Sequence, residues 1–238
     1  MRAFGIWGSG TEVWVVGHLS GSAPNFSSIV RWDGDDCHPE DTGDLLRDAD
    51  GGLLGLNDVW GLRPDAIWAV GEQGTILRRD GNEWVREASP TGEDLNAIYG
   101  TSSGDLWAVG NAGTLIRRAP DTEWIRVSID AGGENLLGVY AVDPENIWIV
   151  GENGSIYDRA KGAWRRRAVA ANSLNAVWGT GPEEVWAVGS AGQMHLWDGQ
   201  MWKLVPTGSS QTIFAIHGNS RGVWIGGWGG SILKKNRN

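Results

Sequence analysis

The chain has 238 residues, of which 37 are Gly and 16 are Trp, and its formal net charge is -9. Its hydrophobic fraction of 41% is too high for a disordered chain, and its acidic balance argues against nucleic acid as a partner. A single cysteine, Cys37, excludes a disulfide framework, and no apolar run is long enough for membrane insertion.

One sequence pattern recurs six times along the chain. Each copy begins with a short apolar run, continues through a segment such as VWAVG and a Gly-containing turn, and in its full form ends near a further Trp. Runs this short, rich in Val, Ile and Trp and separated by Gly, Pro, Asn and Asp, predict strands. One register aligns the repeat position at Trp14, Trp68, Trp107, Trp148, Trp186 and Trp224.

The fifth copy is the clearest, and it predicts strands at 174–178, 185–188, 193–197 and 202–205. A four-stranded antiparallel sheet repeated every 40 residues or so is the unit of a β-propeller. We therefore predict an all-β, six-bladed β-propeller in a single domain, 1-238. The blades are expected at approximately 1-53, 54-94, 95-135, 136-173, 174-212 and 213-238.

Two copies depart from the pattern. The first is degenerate, with Cys37 at the position of a fourth-strand Trp, and if it formed no blade the ring would have five blades plus an N-terminal appendage. The sixth stops before a fourth-strand Trp, which predicts a three-stranded last blade with a free edge. Lys234, Lys235 and Arg237 would guard that edge against pairing, and the alternative is a fourth strand that is missing or supplied by a partner and that docks there.

The VWAVG and LWDG segments, with the Trp that follows them, resemble the Trp- and Gly-rich propeller repeats of many bacterial proteins. They are more distantly similar to the tectonin or tachylectin-2 type repeats of propeller lectins, and weakly to the propeller repeats of bacterial and plastid photosystem assembly factors. The resemblance covers essentially the whole chain. It implies the propeller fold, but it says little about function because such repeats are scaffolds.

The irregular features of the repeat are expected on one face. We call it the top face, where the turns between second and third strands and the connections between blades lie. The first copy has an insertion at 18–27 and a long connection at 38–52, and long loops in a compact domain are often functional. Trp228 is the only aromatic residue at a turn between second and third strands. The candidate binding residues are Trp228, His18, Asn25, Phe26, Asp35, Asp36, Asp41 and Asp44.

Acidic charge is concentrated in residues 33–50, where eight Asp and Glu residues against Arg47 give a net charge of -7. Such a segment suits a partner with a basic patch. Asp48 and Asp50, which precede two glycines, are a weak calcium candidate, since calcium takes hard oxygen ligands. They match no complete calcium loop, so a solvated acidic loop is preferred and no cofactor is expected.

The sequence shows no catalytic constellation. His18, His38, His195 and His217 are scattered over separate copies, and Cys37 replaces a packing Trp, which favours a buried, inert thiol. The recurrent Arg residues of the outer strands are interpreted as solvated charges that discourage edge pairing.

We therefore predict a non-catalytic recognition module that binds a protein partner through the top face near blades 6, 1 and 2. The alternative is a carbohydrate-binding lectin with a site at Trp228 or in an interblade cleft. No signal peptide is evident, so the chain is expected to be cytoplasmic or an excised domain, and its compartment is left open.

Overall fold

The computed structural model of the protein describes residues 2–18, 28–160, 162–219 and 221–236. These residues form an all-β, six-bladed propeller in which five blades have four antiparallel strands and the last blade has three. The predicted fold class is confirmed. The alternative of five blades and an appendage is ruled out, because the first copy forms a four-stranded sheet. The chain divides into two compact units, residues 1–128 and 129–238, with three blades in each.

The first unit contains blades 1 to 3. Its strands are β1 (Arg2–Ser9), β2 (Glu12–His18), β3 (Ile29–Trp32), β4 (Cys37–Pro39), β5 (Leu56–Arg63), β6 (Ala66–Gly71), β7 (Ile76–Asp80), β8 (Glu83–Arg86), β9 (Leu95–Gly100), β10 (Leu106–Gly110), β11 (Leu115–Arg118) and β12 (Ile125–Arg126).

The second unit contains blades 4 to 6. Its strands are β13 (Leu136–Asp143), β14 (Asn146–Gly151), β15 (Ser155–Ala160), β16 (Ala163–Ala168), β17 (Leu174–Gly181), β18 (Glu184–Gly189), β19 (Met194–Trp197), β20 (Trp202–Leu204), β21 (Ile213–Asn219), β22 (Gly222–Gly227) and β23 (Ile232–Lys235).

Consecutive strands are hydrogen-bonded neighbours in every sheet, so each blade is a meander. We call the end at which the first strand of a blade begins its top end. Second strands finish there, and in blades 2 to 6 a single 3-10 turn joins the second strand to the third. In the described part of the chain no helical segment is long and apolar enough to cross a membrane.

A cross-strand aromatic pair between the first and second strands recurs in each blade, which explains much of the tryptophan content. Aromatic pairs facing each other across two strands stabilise a sheet. Five of the six second-strand indoles are buried, and those of Trp14, Trp68 and Trp186 pack in clusters with residues of the following blade. The pairs are Trp7 with Trp14, Trp60 with Trp68, Tyr99 with Trp107, Tyr140 with Trp148, Trp178 with Trp186 and His217 with Trp224.

The glycine that closes the VWAVG segment is required by a close backbone approach. At Gly71 a Cβ atom would lie 2.0 Å from the carbonyl oxygen of Gly55, and at Gly110 it would lie 2.0 Å from that of Asp94. No side chain fits there. The glycine therefore brings the end of the second strand against the start of the first.

Neighbouring blades of the first unit are joined by a buried ionic contact. Glu40, which follows β4, accepts a 2.6 Å hydrogen bond from Nη1 of Arg79 in blade 2 and a 3.1 Å bond from Nε of Arg31 in blade 1. The indole Nε1 of Trp84 donates to the same Glu40 carboxylate at 3.3 Å. Arg79 is buried, so the interpretation of the outer-strand arginines as solvated charges is wrong at this position.

Cys37 is exposed, and the prediction of a buried thiol is wrong. Cys37 pairs with Trp32 across the third and fourth strands of blade 1, and Trp84 pairs with Arg79 at the same position in blade 2. Trp84 is buried against blade 1, so the fourth-strand position faces the preceding blade. Blade 1 has no preceding blade within residues 1–128, and the Cys37 side chain is exposed.

Candidate functional site

The turn at the top end of blade 6 holds its backbone firmly. The amide of Trp228 donates to the carbonyl of Thr212 at 2.8 Å, and the amide of Gly227 donates to that of Ser231 at 2.9 Å. Gly229 and Gly230 then adopt positive φ values of 71° and 72°, which closes the turn. The backbone therefore fixes the position from which the Trp228 side chain projects.

The indole of Trp228 is 64% exposed, and the ring of Phe214 beside it is 52% exposed. Their centroids are 6.2 Å apart with an interplanar angle of 56°, which is a tilted contact between aromatic rings. Two large adjacent rings left in solvent on a fixed backbone form an apolar patch of the kind that marks a binding surface. We call Trp228 and Phe214 the aromatic pair.

Polar side chains occupy one or both of these positions in blades 2 to 5, whereas blade 1 also has a Phe at the position of Phe214. At the position of Trp228, Glu72 accepts a hydrogen bond from the Gly55 amide at 2.7 Å, and Glu152 accepts from the Asn135 side chain at 3.1 Å. At the position of Phe214, Asn175 donates to the Ile213 carbonyl at 2.8 Å. Polar side chains that hold the turns and blades together are thus replaced in blade 6 by two exposed rings.

His18 lies at the top end of blade 1 and contacts blade 2. Its Nε2 lies 3.0 Å from Oδ1 of Asn57, its Nδ1 lies 3.7 Å from Oε1 of Glu72, and its ring centroid lies 4.6 Å from that of Phe4. Phe4 is exposed and occupies in blade 1 the repeat position of Phe214. His18 therefore joins two blades and leaves an aromatic neighbour accessible. Asn25 and Phe26 lie outside the described residues.

The structure separates the acidic candidates into two groups. Asp35 and Asp36 lie in the turn between β3 and β4, at the end of blade 1 opposite its top end. Asp41 and Asp44 lie in the connection from β4 to β5, which leads to the top end of blade 2.

The turn between β3 and β4 is organised by Asp33. Its Oδ1 accepts hydrogen bonds from the amides of Asp36 and Asp35, both at 3.0 Å, and its Oδ2 lies 2.6 Å from Nε2 of His38. These hydrogen bonds, the backbone ones first, lower the pKa of Asp33 well below its usual range. The carboxylate thus serves to hold its own turn.

Asp48 caps a turn of its own. Its Oδ1 accepts hydrogen bonds from the amides of Asp50 at 3.0 Å and Gly52 at 2.6 Å. Over the ranges that the structure describes, no three His, Cys, Asp or Glu side chains lie close enough together to hold a metal ion. The weak calcium candidate at Asp48 and Asp50 therefore gains no support.

Asp58 is an acidic residue that the shared repeat pattern alone does not single out, and it lies partly buried in the first strand of blade 2. Its carboxylate accepts 2.9 Å hydrogen bonds from its neighbour Val59 and from Ile98 in blade 3. Burial, partly offset by these bonds, raises the pKa of Asp58 to about 7. The same repeat position holds Gly5, Ala97, Gly138, Ala176 and Ala215, so a comparison of copies identifies Asp58 as an exception.

Comparison with protein-family models and with curated proteins gives no match. The chain is similar to solved propellers. A structure described as YCF48 bound to D1 peptide has a TM-score of 0.73 at 18% identity, covering 100% of this chain and 79% of that one. Virginiamycin B lyase from Staphylococcus aureus has a TM-score of 0.75 at 15% identity, covering 98% of this chain and 94% of that one.

The WD40 propeller domain of Doa1 has a TM-score of 0.64 at 12% identity, covering 76% of this chain and 64% of that one. These structures include a peptide complex and an enzyme. At such identities the likeness establishes the propeller fold alone, because unrelated functions share this fold. The resemblance to bacterial Trp- and Gly-rich repeats, or to tectonin repeats, stays a prediction.

Proposed function

We propose that the protein is a non-catalytic recognition module that binds a protein partner at the top end of blade 6 through the aromatic pair. The observation that carries this proposal is the exposure of Trp228 and Phe214 on a hydrogen-bonded turn. Because the backbone is already fixed, binding orders little beyond the two side chains. The similar fold of YCF48, solved with a peptide, supports a peptide or protein ligand.

The chemistry of the aromatic pair suits binding rather than catalysis. Neither ring can transfer a proton, and buried aromatic side chains are enriched among the residues that dominate protein interfaces. The sequence also predicts that His18, Asp41 and Asp44 of blades 1 and 2 contribute to binding the partner. Because two of these residues are acidic, the partner is expected to present basic residues to them.

Capture from a lysate of the source organism distinguishes a protein partner from a sugar. The wild type and Trp228→Ala are immobilised side by side, with and without a mixture of simple sugars. We expect a specific protein to be captured by the wild type, to resist the sugars and to be lost on Trp228→Ala. Release by one sugar would make the protein a lectin instead, since aromatic faces also bind sugar rings.

The aromatic pair should matter little for stability. We expect Trp228→Ala to change the free energy of unfolding by less than ~0.5 kcal/mol, because an exposed side chain loses few packing contacts. Urea unfolding at neutral pH measures this. A loss of about 2 kcal/mol or more would show that the indole packs the fold together, and the proposed binding role of Trp228 would lose its basis.

A further inference from the structure

The outer edge of blade 6 differs from that of the other blades. Among the described residues its sheet ends at β23, whereas each other blade continues to a fourth strand. In blade 2 that fourth strand places Trp84 opposite Arg79, and in blade 5 it places Trp202 opposite Trp197. Lys235 is the residue of β23 that corresponds to Arg79. In blade 2 the second-strand Trp pairs with Arg78, just before Arg79, and in blade 6 it pairs with Lys234, just before Lys235.

The fourth-strand Trp fills a defined space in blades 2 and 3. Trp84 belongs to a buried cluster with Ile67 and Leu77 of its own blade and Ile29 of the preceding one. Trp124 occupies the same place between blades 3 and 2. The indole thus lies between two sheets and covers the third strand of its own blade.

In blade 6 this space is open. A cavity of about 160 Å³ lies there, and β23 contributes Leu233, Lys234 and Lys235 to its lining. The rest of the lining belongs to the second strand of blade 6 and to blade 5, namely Val223, Ile225, Met194, Pro206 and Thr207. Leu233 is 37% exposed, whereas its counterparts Leu77 and Ile116 are fully buried. We call this cavity together with the free edge of β23 the β23 groove.

The edge of β23 offers backbone groups as well. In blade 2 the amide of Glu87 donates to the carbonyl of Ile76 at 2.9 Å, and in blade 5 that of Val205 donates to Met194 at 2.8 Å. Ile232 is the counterpart of Ile76 and Met194 in the third strand. Each of the three pairs with the second-strand residue two positions after the recurrent Trp, namely Gly226, Val70 and Val188. An added antiparallel strand would therefore find its acceptor at Ile232.

Charge specifies the added strand further. In blade 2 Glu87, three residues after Trp84, pairs with Nε of Arg78 at 2.9 Å. Lys234 is the counterpart of Arg78 and lies over the Trp224 ring, 5.2 Å from its centroid. A carboxylate three residues after the Trp of an added strand would reach this ammonium group.

We propose that the β23 groove binds an extended segment of a partner protein as the fourth strand of blade 6, by antiparallel pairing with β23. The segment carries a Trp, which enters the cavity opposite Lys235, and an Asp or Glu three residues later, which pairs with Lys234. This site lies on the outer edge of the blade. It is separate from the aromatic pair and does not depend on it.

A synthetic peptide with the sequence of residues 82–90 contains this pattern and serves as the probe. Its binding to the wild-type chain is measured by fluorescence anisotropy, alongside a peptide with Trp84→Ala and one with Glu87→Lys. We expect the Trp84→Ala peptide to bind at least about tenfold more weakly, because the cavity stays unfilled. The Glu87→Lys peptide should bind severalfold more weakly at low salt. All changes are in the peptide, so the folding of the protein is not at issue.

The position of the peptide is then mapped by placing a photoreactive benzoylphenylalanine at its Trp. Cross-links to residues 233–235 and to 206–207 are expected. Equal binding of the wild-type and Trp84→Ala peptides, or cross-links confined to another blade, would overturn the proposal. So would a chain that sedimentation shows to be a dimer through β23, because a second copy would then occupy the groove.

Discussion

Glu40→Ala is expected to destabilise the protein by about 3–5 kcal/mol, the cost of leaving a buried charge without its partner. The carboxylate of Glu40 has only 11% of its side chain exposed and bonds Arg79, Arg31 and the Trp84 indole together. Without it, the buried guanidinium of Arg79 loses the carboxylate with which it pairs. Urea unfolding at neutral pH measures the loss.

The matched control for this substitution is Asp44→Ala, four residues along the same acidic segment. The side chain of Asp44 is 93% exposed and pairs with Arg47 at the surface, so its removal should cost less than ~0.5 kcal/mol. Equal losses in the free energy of unfolding for the two substitutions would contradict the role of Glu40 in linking blades 1 and 2.

Asp58→Asn is expected to change how stability depends on pH. Burial raises the pKa of Asp58 to about 7 in the folded protein, whereas an unfolded Asp titrates near ~4. Between these values the folded state binds more protons than the unfolded state. The contribution of Asp58 to the free energy of unfolding therefore falls as the pH rises from about 4 to about 7, and it is level above that range.

Asn at position 58 keeps the shape of the side chain but cannot ionise. The free energy of unfolding of the variant should therefore rise relative to that of the wild type as the pH rises, by about 4 kcal/mol between pH 4 and pH 8, at ~1.4 kcal/mol for each pKa unit. Unfolding curves at four pH values test this, with Asp44→Asn as the exposed control. Parallel profiles for Asp58→Asn and wild type would show that Asp58 does not titrate in this range.

The repeat made the architecture predictable from the sequence. A period of about 40 residues, a recurrent Trp and a recurrent Gly report local strand pairing; the Trp and the Gly recur in each blade, and the period holds except after the first copy. Gly71 and Trp107 needed no knowledge of distant residues, because each is constrained by its own blade. The three-stranded last blade followed from the same register.

Contacts between blades were less predictable. His18 meets Asn57 from 39 positions away, and Glu40 meets Arg79 across a similar separation, so neither partner is visible in a local pattern. In the sequence, Glu40 is recognisable only as part of an acidic segment. The repeat predicts a buried Cys37 because its position is occupied by Trp in other copies, but that position faces a preceding blade.

Of the two rings of the aromatic pair, only Trp228 could be predicted from the sequence. Trp228 stands out in the sequence as an aromatic residue among polar turn residues, whereas Phe214 sits inside an apolar run and looks like core. Comparing the copies at that one position would have found it, since Asn57, Asn96 and Asn175 hold it in three other blades. Exceptions to a repeat were therefore more informative about the site than the repeat itself.

The proposed recognition role is tested most directly by the affinity of the captured and purified partner for three forms of the protein. These are the wild type, Trp228→Ala, and Met201→Ala, which removes an exposed apolar side chain from the opposite end of blade 5. We predict that Trp228→Ala weakens binding at least about tenfold, or ~1.4 kcal/mol, and that Met201→Ala leaves it unchanged. Equal affinities for the wild type and Trp228→Ala would contradict the proposal that the aromatic pair binds the partner.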